Sequence, residues 1–248
     1  AKKYYLLLST APIIFYFIIT EKIILKALKY PFKKNRSLID IIIKIFNIKK
    51  NIPLMYISMI LTNKIYSFLL IKIVSLFSLG GILNFYYKTK ISVYIIYLVF
   101  FFIIIIHTVF TVYIKIYENK NMLFMRNMPI SYTGRIIKYL ITFFIIIIPE
   151  MILIGIKVSG NIRNEYMLLL NLPVLYLGIM ILMYSVLFFK KMNIDKFTGI
   201  LSLFSFICYF YLLARFNVAF ILIATVTISY FIFKFKYYES NPFYEIIS

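Results

Sequence analysis

Tryptophan is absent from this 248-residue chain, which holds one cysteine, one histidine and eight acidic residues. A single cysteine closes no internal disulfide, so a small disulfide-stapled scaffold is excluded. A single histidine supplies neither a zinc site, which needs three or four ligands, nor a pair of axial haem ligands. The acids are Glu21, Asp40, Glu118, Glu150, Glu165, Asp195, Glu239 and Glu245, dispersed along the chain. A membrane-embedded enzyme would gather polar groups at one depth, and this dispersal disfavours it. No Gly-x-x-x-x-Gly-Lys-Ser/Thr loop, His-Glu-x-x-His helix or Gly-x-Ser-x-Gly elbow occurs. Phosphates of ATP therefore find no P-loop here, no metal or other cofactor site is expected, and any hydrolysis of ATP falls to another polypeptide.

What fills the chain instead is apolar. Hydrophobic residues make up 63% of it and charged residues 15%, against roughly 45–50% and about 25% in a soluble domain. The mean hydropathy is +0.95. A soluble fold of this size has too little interior to hide that surface. The net charge of +20 would suggest nucleic acid, but the charges sit between long apolar runs and no aromatic–basic stacking pattern accompanies them. No nucleic-acid partner is expected. Cys208 lies inside one of the apolar runs, so the redox compartment cannot be read from it.

A helix needs about 20 mostly apolar residues to cross the hydrocarbon core, with all its backbone groups paired internally. Six segments fit: 65–87, 91–114, 136–156, 167–189, 198–213 and 218–233. Within the second, residues 99–106 are apolar on every face, as in a helix facing lipid or buried in a bundle. Tyr86, Tyr87, Tyr113, Tyr139, Tyr166, Tyr237 and Tyr238 stand near segment ends and are expected to form an interfacial belt. The pair Gly80-Gly81 permits a close helix approach or a bend, and packing is the preferred reading.

Basic residues set the orientation. With the six segments starting inside, the inner pieces 21–64, 115–138, 190–197 and 234–248 carry 10, 5, 3 and 2 Lys or Arg, 20 in all. The outer pieces 88–90, 157–165 and 214–217 carry 2, 2 and 1, with Arg215 among them. Positive charge stays on the cytoplasmic side, so this asymmetry selects the orientation. The expected fold is all-α: a polytopic protein with a six-helix transmembrane bundle at 65–235 and a cytoplasmic tail at 236–248. Ahead of it, residues 4–20 either cross as an extra span or lie half-inserted, bent at Pro12. A cleaved leader is disfavoured, because no small-residue cleavage pattern follows and the run ends in Glu21-Lys22.

The basic region 21–64 contains an amphipathic stretch, 37–48. Leu38, Ile41, Ile42, Ile45 and Ile48 share one helical face, Ser37 can cap the first turn, and lysines and Arg36 flank it. Such a helix suits the plane of an anionic leaflet, so the bilayer itself is an expected partner. Between the second and third spans, Met122, Leu123, Phe124 and Met125 make a short apolar patch beside Arg126, and Met128-Pro129 ends it. Methionine-rich patches adapt to a partner surface. The competing view is an ordinary loop packed under its own bundle. Three ionisable residues fall at membrane depth, where such groups are costly and often functional. Glu150 follows Pro149 in the third span and could face a cargo cavity. Lys72 sits two turns into the first and is expected to snorkel inward. His107 is expected to hydrogen-bond between helices.

The loop Leu123-x-x-Arg126-x-Met128-Pro129-Ile130-Ser131 between the second and third spans resembles that of the type 2 ABC-transporter permeases, the six-span membrane subunits of ABC exporters. The small staphylococcal exporters of amphipathic cytolytic peptides, the phenol-soluble modulins, are the kind it is most similar to. The resemblance covers 65–235 in layout and about a dozen residues in motif. It implies that residues 122–129 form a coupling helix docked on an ATPase subunit, which would bind ATP and Mg. It also implies that 37–48 corresponds to the family's elbow helix, and that a second copy or a sister permease completes the path. Glu150, Lys72 and His107 are then candidates for the translocation path in the cell membrane. The alternative from the residues alone is a non-catalytic structural subunit of a large energy-transducing membrane complex.

Overall fold

The computed structural model describes residues 52–89, 93–121, 131–158, 166–189, 194–213 and 217–236. Among these residues the chain forms seven helices and no strand. They are α1 (Ile52–Asn63), α2 (Ile65–Thr89), α3 (Val93–Asn121), α4 (Tyr132–Val158), α5 (Tyr166–Val186), α6 (Ile194–Leu213) and α7 (Val218–Lys236). Each of the six apolar segments becomes a helix. Four stretches are long and apolar enough to cross a bilayer: Ile65–Lys88, Tyr94–Asn121, Tyr132–Lys157 and Val218–Lys236. Residues 4–20, the stretch bearing Leu38, Ile41, Ile42, Ile45 and Ile48, the loop residues 122–130 and Arg215 lie outside the described residues.

Two helices make the centre. α3 packs on α1, α2, α5 and α6, and α5 packs on α3, α4, α6 and α7. The all-apolar stretch of α3 is therefore bundle-buried: Phe100, Phe101 and Ile103 through Ile106 are all in the core. The outer helices keep one greasy face turned away. On α4 it runs through Ile137, Ile141, Phe144, Ile148, Ile152 and Ile156, at helical spacing. In water such a stripe would be an aggregation surface; toward acyl chains it has no hydrophobic penalty.

Several boundaries move relative to the sequence expectation. α3 runs to Asn121, so the polar segment from Lys115 onward is helix and not loop. Lys115 and Glu118 are buried, and so is Arg135 on the first turns of α4. The lysine ammonium lies 3.1 Å from the centre of the Phe188 ring, a cation–π contact that offsets part of its desolvation. α4 starts at Tyr132, capped by Ser131, whose Oγ accepts from the Gly134 N–H at 3.1 Å. Residues 52–63, counted with the basic interfacial region, form α1, which buries Tyr56, Met59 and Ile60 against the bundle. Helical bonding continues across Lys64 into α2: Lys64 N–H donates to Ile60 O at 3.0 Å and Phe68 N–H to Lys64 O at 2.9 Å. The tyrosine belt needs correction as well. Tyr113 and Tyr139 are fully buried, because their rings fill gaps between helices.

The close approach of two helices is made at a different glycine. A Cβ on Gly81 would meet nothing within 4 Å, and one on Gly80 only a leucine methyl at 3.9 Å. At Gly178 on α5, a Cβ would lie 2.8 Å from Thr225 Oγ1 and 3.5 Å from the Leu222 backbone on α7. Thr225 cannot retreat easily, since its hydroxyl donates to Ile221 O at 2.8 Å and to Leu222 O at 2.9 Å. Small residues at such crossings let backbones approach. Gly178→Ala is expected to destabilise the bundle by about 1–3 kcal/mol through overpacking. Gly81→Ala is expected to leave the thermal midpoint in detergent unchanged. Equal midpoints for the two variants would show that α5 and α7 part without cost.

Candidate functional site

The three ionisable residues expected at membrane depth meet at one point. Lys72 on α2, His107 on α3 and Glu150 on α4 are all buried. The Lys72 ammonium donates to both carboxylate oxygens of Glu150, at 2.9 Å to Oε1 and 2.8 Å to Oε2. Nζ also lies 3.0 Å from His107 Nε2 and donates to the Ile146 carbonyl. Ser75, one turn along α2, donates to Glu150 Oε1 at 2.5 Å. Lys72 thus does not snorkel. Its stem points to the bundle interior because a carboxylate waits there, and a paired charge costs far less in low dielectric than a lone one.

The hydrogen bonds fix the imidazole tautomer. His107 Nδ1 lies 2.7 Å from the Ile103 carbonyl, which can only accept, so Nδ1 carries the proton. Nε2 is then the acceptor for Lys72. The ammonium has acceptors for all of its protons, and the cluster holds one positive and one negative charge. Pro149 directly precedes the acid on α4 and has no N–H, so the carbonyl of Ile145, one turn back, loses its helix partner. Lys72 bonds the next carbonyl along, that of Ile146. Tyr176 on α5 closes the fourth side, with its ring edge-on to His107 at 5.5 Å. Its hydroxyl is fully buried and has no hydrogen-bond partner among the described residues. The cluster therefore ties three helices by polar bonds in a largely apolar interior.

A second polar centre, which the sequence reasoning missed, lies further along the same helices. Glu118, near the end of α3, accepts from three phenols on three other helices. Tyr56 of α1 and Tyr139 of α4 donate to Oε1, the latter at 2.6 Å, and Tyr184 of α5 donates to Oε2. Burial and the neighbouring carboxylate push the Tyr56 phenol well above its ordinary pKa, so it remains a donor. The rings stack as well as bond: Tyr139 lies 4.3 Å from Tyr184 and 5.8 Å from Phe233 of α7, centre to centre. At this end of the bundle, Lys64 between α1 and α2 has its ammonium pKa lowered, first by burial and then by repulsion from Lys120.

The two centres share one register. Eleven residues separate His107 from Glu118 on α3, and eleven separate Tyr139 from Glu150 on antiparallel α4. Eleven residues are close to three whole turns, about 16 Å of rise, so each pair shares a helix face. Thr111 and Lys115, both buried, lie on the same α3 stripe between the two acids' levels. That matched spacing on two consecutive apolar helices was the available signal, and it goes unseen when 115–121 is read as loop.

No group of three His, Cys, Asp or Glu able to hold a metal occurs among the described residues. An apolar cleft of about 230 Å³ opens between α6 and α7, lined by Cys208, Tyr211, Phe220, Ala224 and Thr225 among others. It holds no cluster of ionisable groups. Comparison with protein-family models, with curated proteins and with solved structures gives no match to this chain.

Proposed function

We propose that this chain is the membrane subunit of an ABC exporter, moving an amphipathic or hydrophobic cargo across the cell membrane. The observation that carries this reading is the position of the Leu123-x-x-Arg126-x-Met128-Pro129-Ile130-Ser131 segment. It joins α3 to α4, two helices that are each long and apolar enough to span. A partner bound there would act on the central helix of the bundle. In this reading the segments of α5 and α6 complete six crossings, and two such bundles, identical or sister, enclose the path. ATP and Mg reside on the partner ATPase. Met122, Leu123, Phe124 and Met125 offer it an apolar surface, Arg126 a charge, and Met128-Pro129 a helix stop.

Transport then proceeds by alternating access. Nucleotide-dependent closure of the ATPase pair shifts a two-state bundle by binding one state better than the other. The Lys72–His107–Glu150 centre is one of two buried polar centres in that bundle. An amphipathic cargo fits a path with mostly greasy walls, since its apolar face needs no desolvation compensation.

Affinity purification of the full chain from its native membrane is expected to bring down a P-loop ATPase. Met125→Asp and Arg126→Glu are expected to release that ATPase at least tenfold more readily while the bundle still assembles. Assembly of the bundle, read by size-exclusion in detergent, separates loss of docking from misfolding. Purification of a large complex containing no nucleotide-hydrolysing chain would overturn the exporter reading and favour a structural subunit instead.

A further inference from the structure

Building on the exporter reading, we infer that the Glu118–tyrosine knot is the joint through which motion of the 122–130 segment enters the bundle, with Glu118 as its positioning residue. Glu118 lies within the last turn of α3, three residues before the helix ends at Asn121. Tyr139 stands two turns into α4, on the far side of the same connection. One carboxylate thus clasps both helices that the segment joins, and it clasps α1 and α5 as well. Both oxygens are engaged, and the phenols come from three directions. Rotation or sliding of α3 against α1, α4 or α5 would break at least one of these bonds.

The surroundings make the clasp stiff. Tyr56 stacks on Tyr139 at 5.9 Å, Tyr184 packs on Phe233 at 6.0 Å, and Phe188 packs on Phe233 at 5.1 Å, so α7 joins the same assembly. Fused rings of contact between flat, rigid side chains leave few alternative rotamers. Further along α3, the buried Ile103, Ile104, Ile105, Ile106 and Val109 make non-directional contacts, on either side of the bonded His107. A push delivered there could be absorbed by repacking. At Glu118 it must be passed on, because hydrogen bonds to a buried carboxylate are directional and costly to leave unmade. Helices α1, α3, α4 and α5 therefore move as one body at this end, and the displacement reaches the Lys72–His107–Glu150 centre along α3 and α4.

The test is a distance measurement on the full chain assembled with its co-purified ATPase in lipid. Nitroxides are placed at Lys88→Cys and Phe220→Cys in a Cys208→Ser background, at the ends of α2 and α7 remote from the knot. Vanadate trapping of the ATPase should shift the spin–spin distance in the otherwise native chain. In Tyr139→Phe and Tyr184→Phe most of that shift should vanish while ATP is still bound and hydrolysed; in Glu118→Ala it should vanish entirely. Glu118→Gln, which keeps one acceptor oxygen, should recover part of it. A full shift in both phenylalanine variants overturns the inference, as does the absence of any shift in the native chain. Loss of ATPase binding in those variants would make the knot part of the docking surface and also overturn it. Should Glu118→Ala not assemble, the two phenylalanine variants decide the matter. A native preparation that carries no ATPase instead overturns the exporter reading on which this rests.

Discussion

Glu150→Ala is expected to be among the most damaging single substitutions in the chain, and the loss should be largely reversed by a second change 78 residues away. With the carboxylate gone, the Lys72 ammonium keeps only His107 Nε2 and the Ile146 carbonyl, both neutral. Removing one partner of a buried pair costs about 3–5 kcal/mol, because the other charge stays behind without compensation. Lys72→Met has the mirror effect: it leaves Glu150 with the Ser75 hydroxyl at 2.5 Å as its donor and faces it, at 3.4 Å, with an imidazole Nε2 that carries no proton. Replacing a buried pair by apolar residues of similar volume is often neutral or stabilising. The double variant Lys72→Met/Glu150→Leu should therefore unfold close to the native midpoint in detergent. A double-mutant cycle on thermal unfolding, closed with Lys72→Met and Glu150→Leu as its single variants, measures this, and a coupling energy near zero would show that the two groups do not depend on each other. Were the double variant stable and transport-competent, the pair would be a structural clip. A stable bundle that no longer transports would place the pair in the translocation path.

Much of the architecture was legible because hydrophobic length is a strong signal. The six apolar runs became helices with ends displaced by at most seven residues, and the Ser131 cap marks the start of α4 as the Pro129-to-Gly134 pattern indicates. Lys72, His107 and Glu150 could be picked out because an ionisable group inside an apolar run stands against its background. Their meeting could not be read, since it depends on how α2, α3 and α4 are rotated about their axes. No periodicity in residues 99–106 gives that rotation, as every face there is apolar.

Sequence reasoning fails where it treats polar residues as solvated. Lys115, Glu118 and Arg135 fall in the stretch between two spans, where hydropathy alone assigns loop. Burial is tolerated because specific partners exist: a phenyl face for Lys115 and three phenols for Glu118. The tyrosines mislead in the same way. A Tyr near a span end usually anchors at the headgroups. Tyr139 instead turns inward, where a buried acceptor takes its hydroxyl proton. Gly80-Gly81 draws the eye away from Gly178 because a doubled glycine is conspicuous, while a helix crossing needs only one residue without a Cβ at the point of contact.

Glu118→Leu is expected to rival Glu150→Ala, for a different reason. Leucine would add apolar burial worth about 2 kcal/mol. It would also take Glu118 away as the acceptor of the Tyr56, Tyr139 and Tyr184 hydroxyls, which are buried to 0%, 3% and 0% residual exposure. A hydrogen bond to a charged group is worth about 1.5–3 kcal/mol, so losing three outweighs the gain and the variant should lose several kcal/mol. Tyr139→Phe removes a single bond to a charged acceptor and leaves the carboxylate with two phenols; about 1.5–3 kcal/mol is expected. Tyr184→Phe should match it in size, since each phenol supplies one donor to the same group. The effects of neighbours in one network are not additive. In the Glu118→Leu background, Tyr184→Phe should cost little or even stabilise, because it deletes a buried hydroxyl whose acceptor is already gone. That reversal of sign is the signature of a hydrogen-bond role as distinct from a packing role. Chemical unfolding of the full chain in mild detergent would show it as a higher midpoint for Glu118→Leu/Tyr184→Phe than for Glu118→Leu alone. If the second substitution lowers the midpoint as much as it does in the native background, the phenols are held by ring packing and the carboxylate is incidental to them.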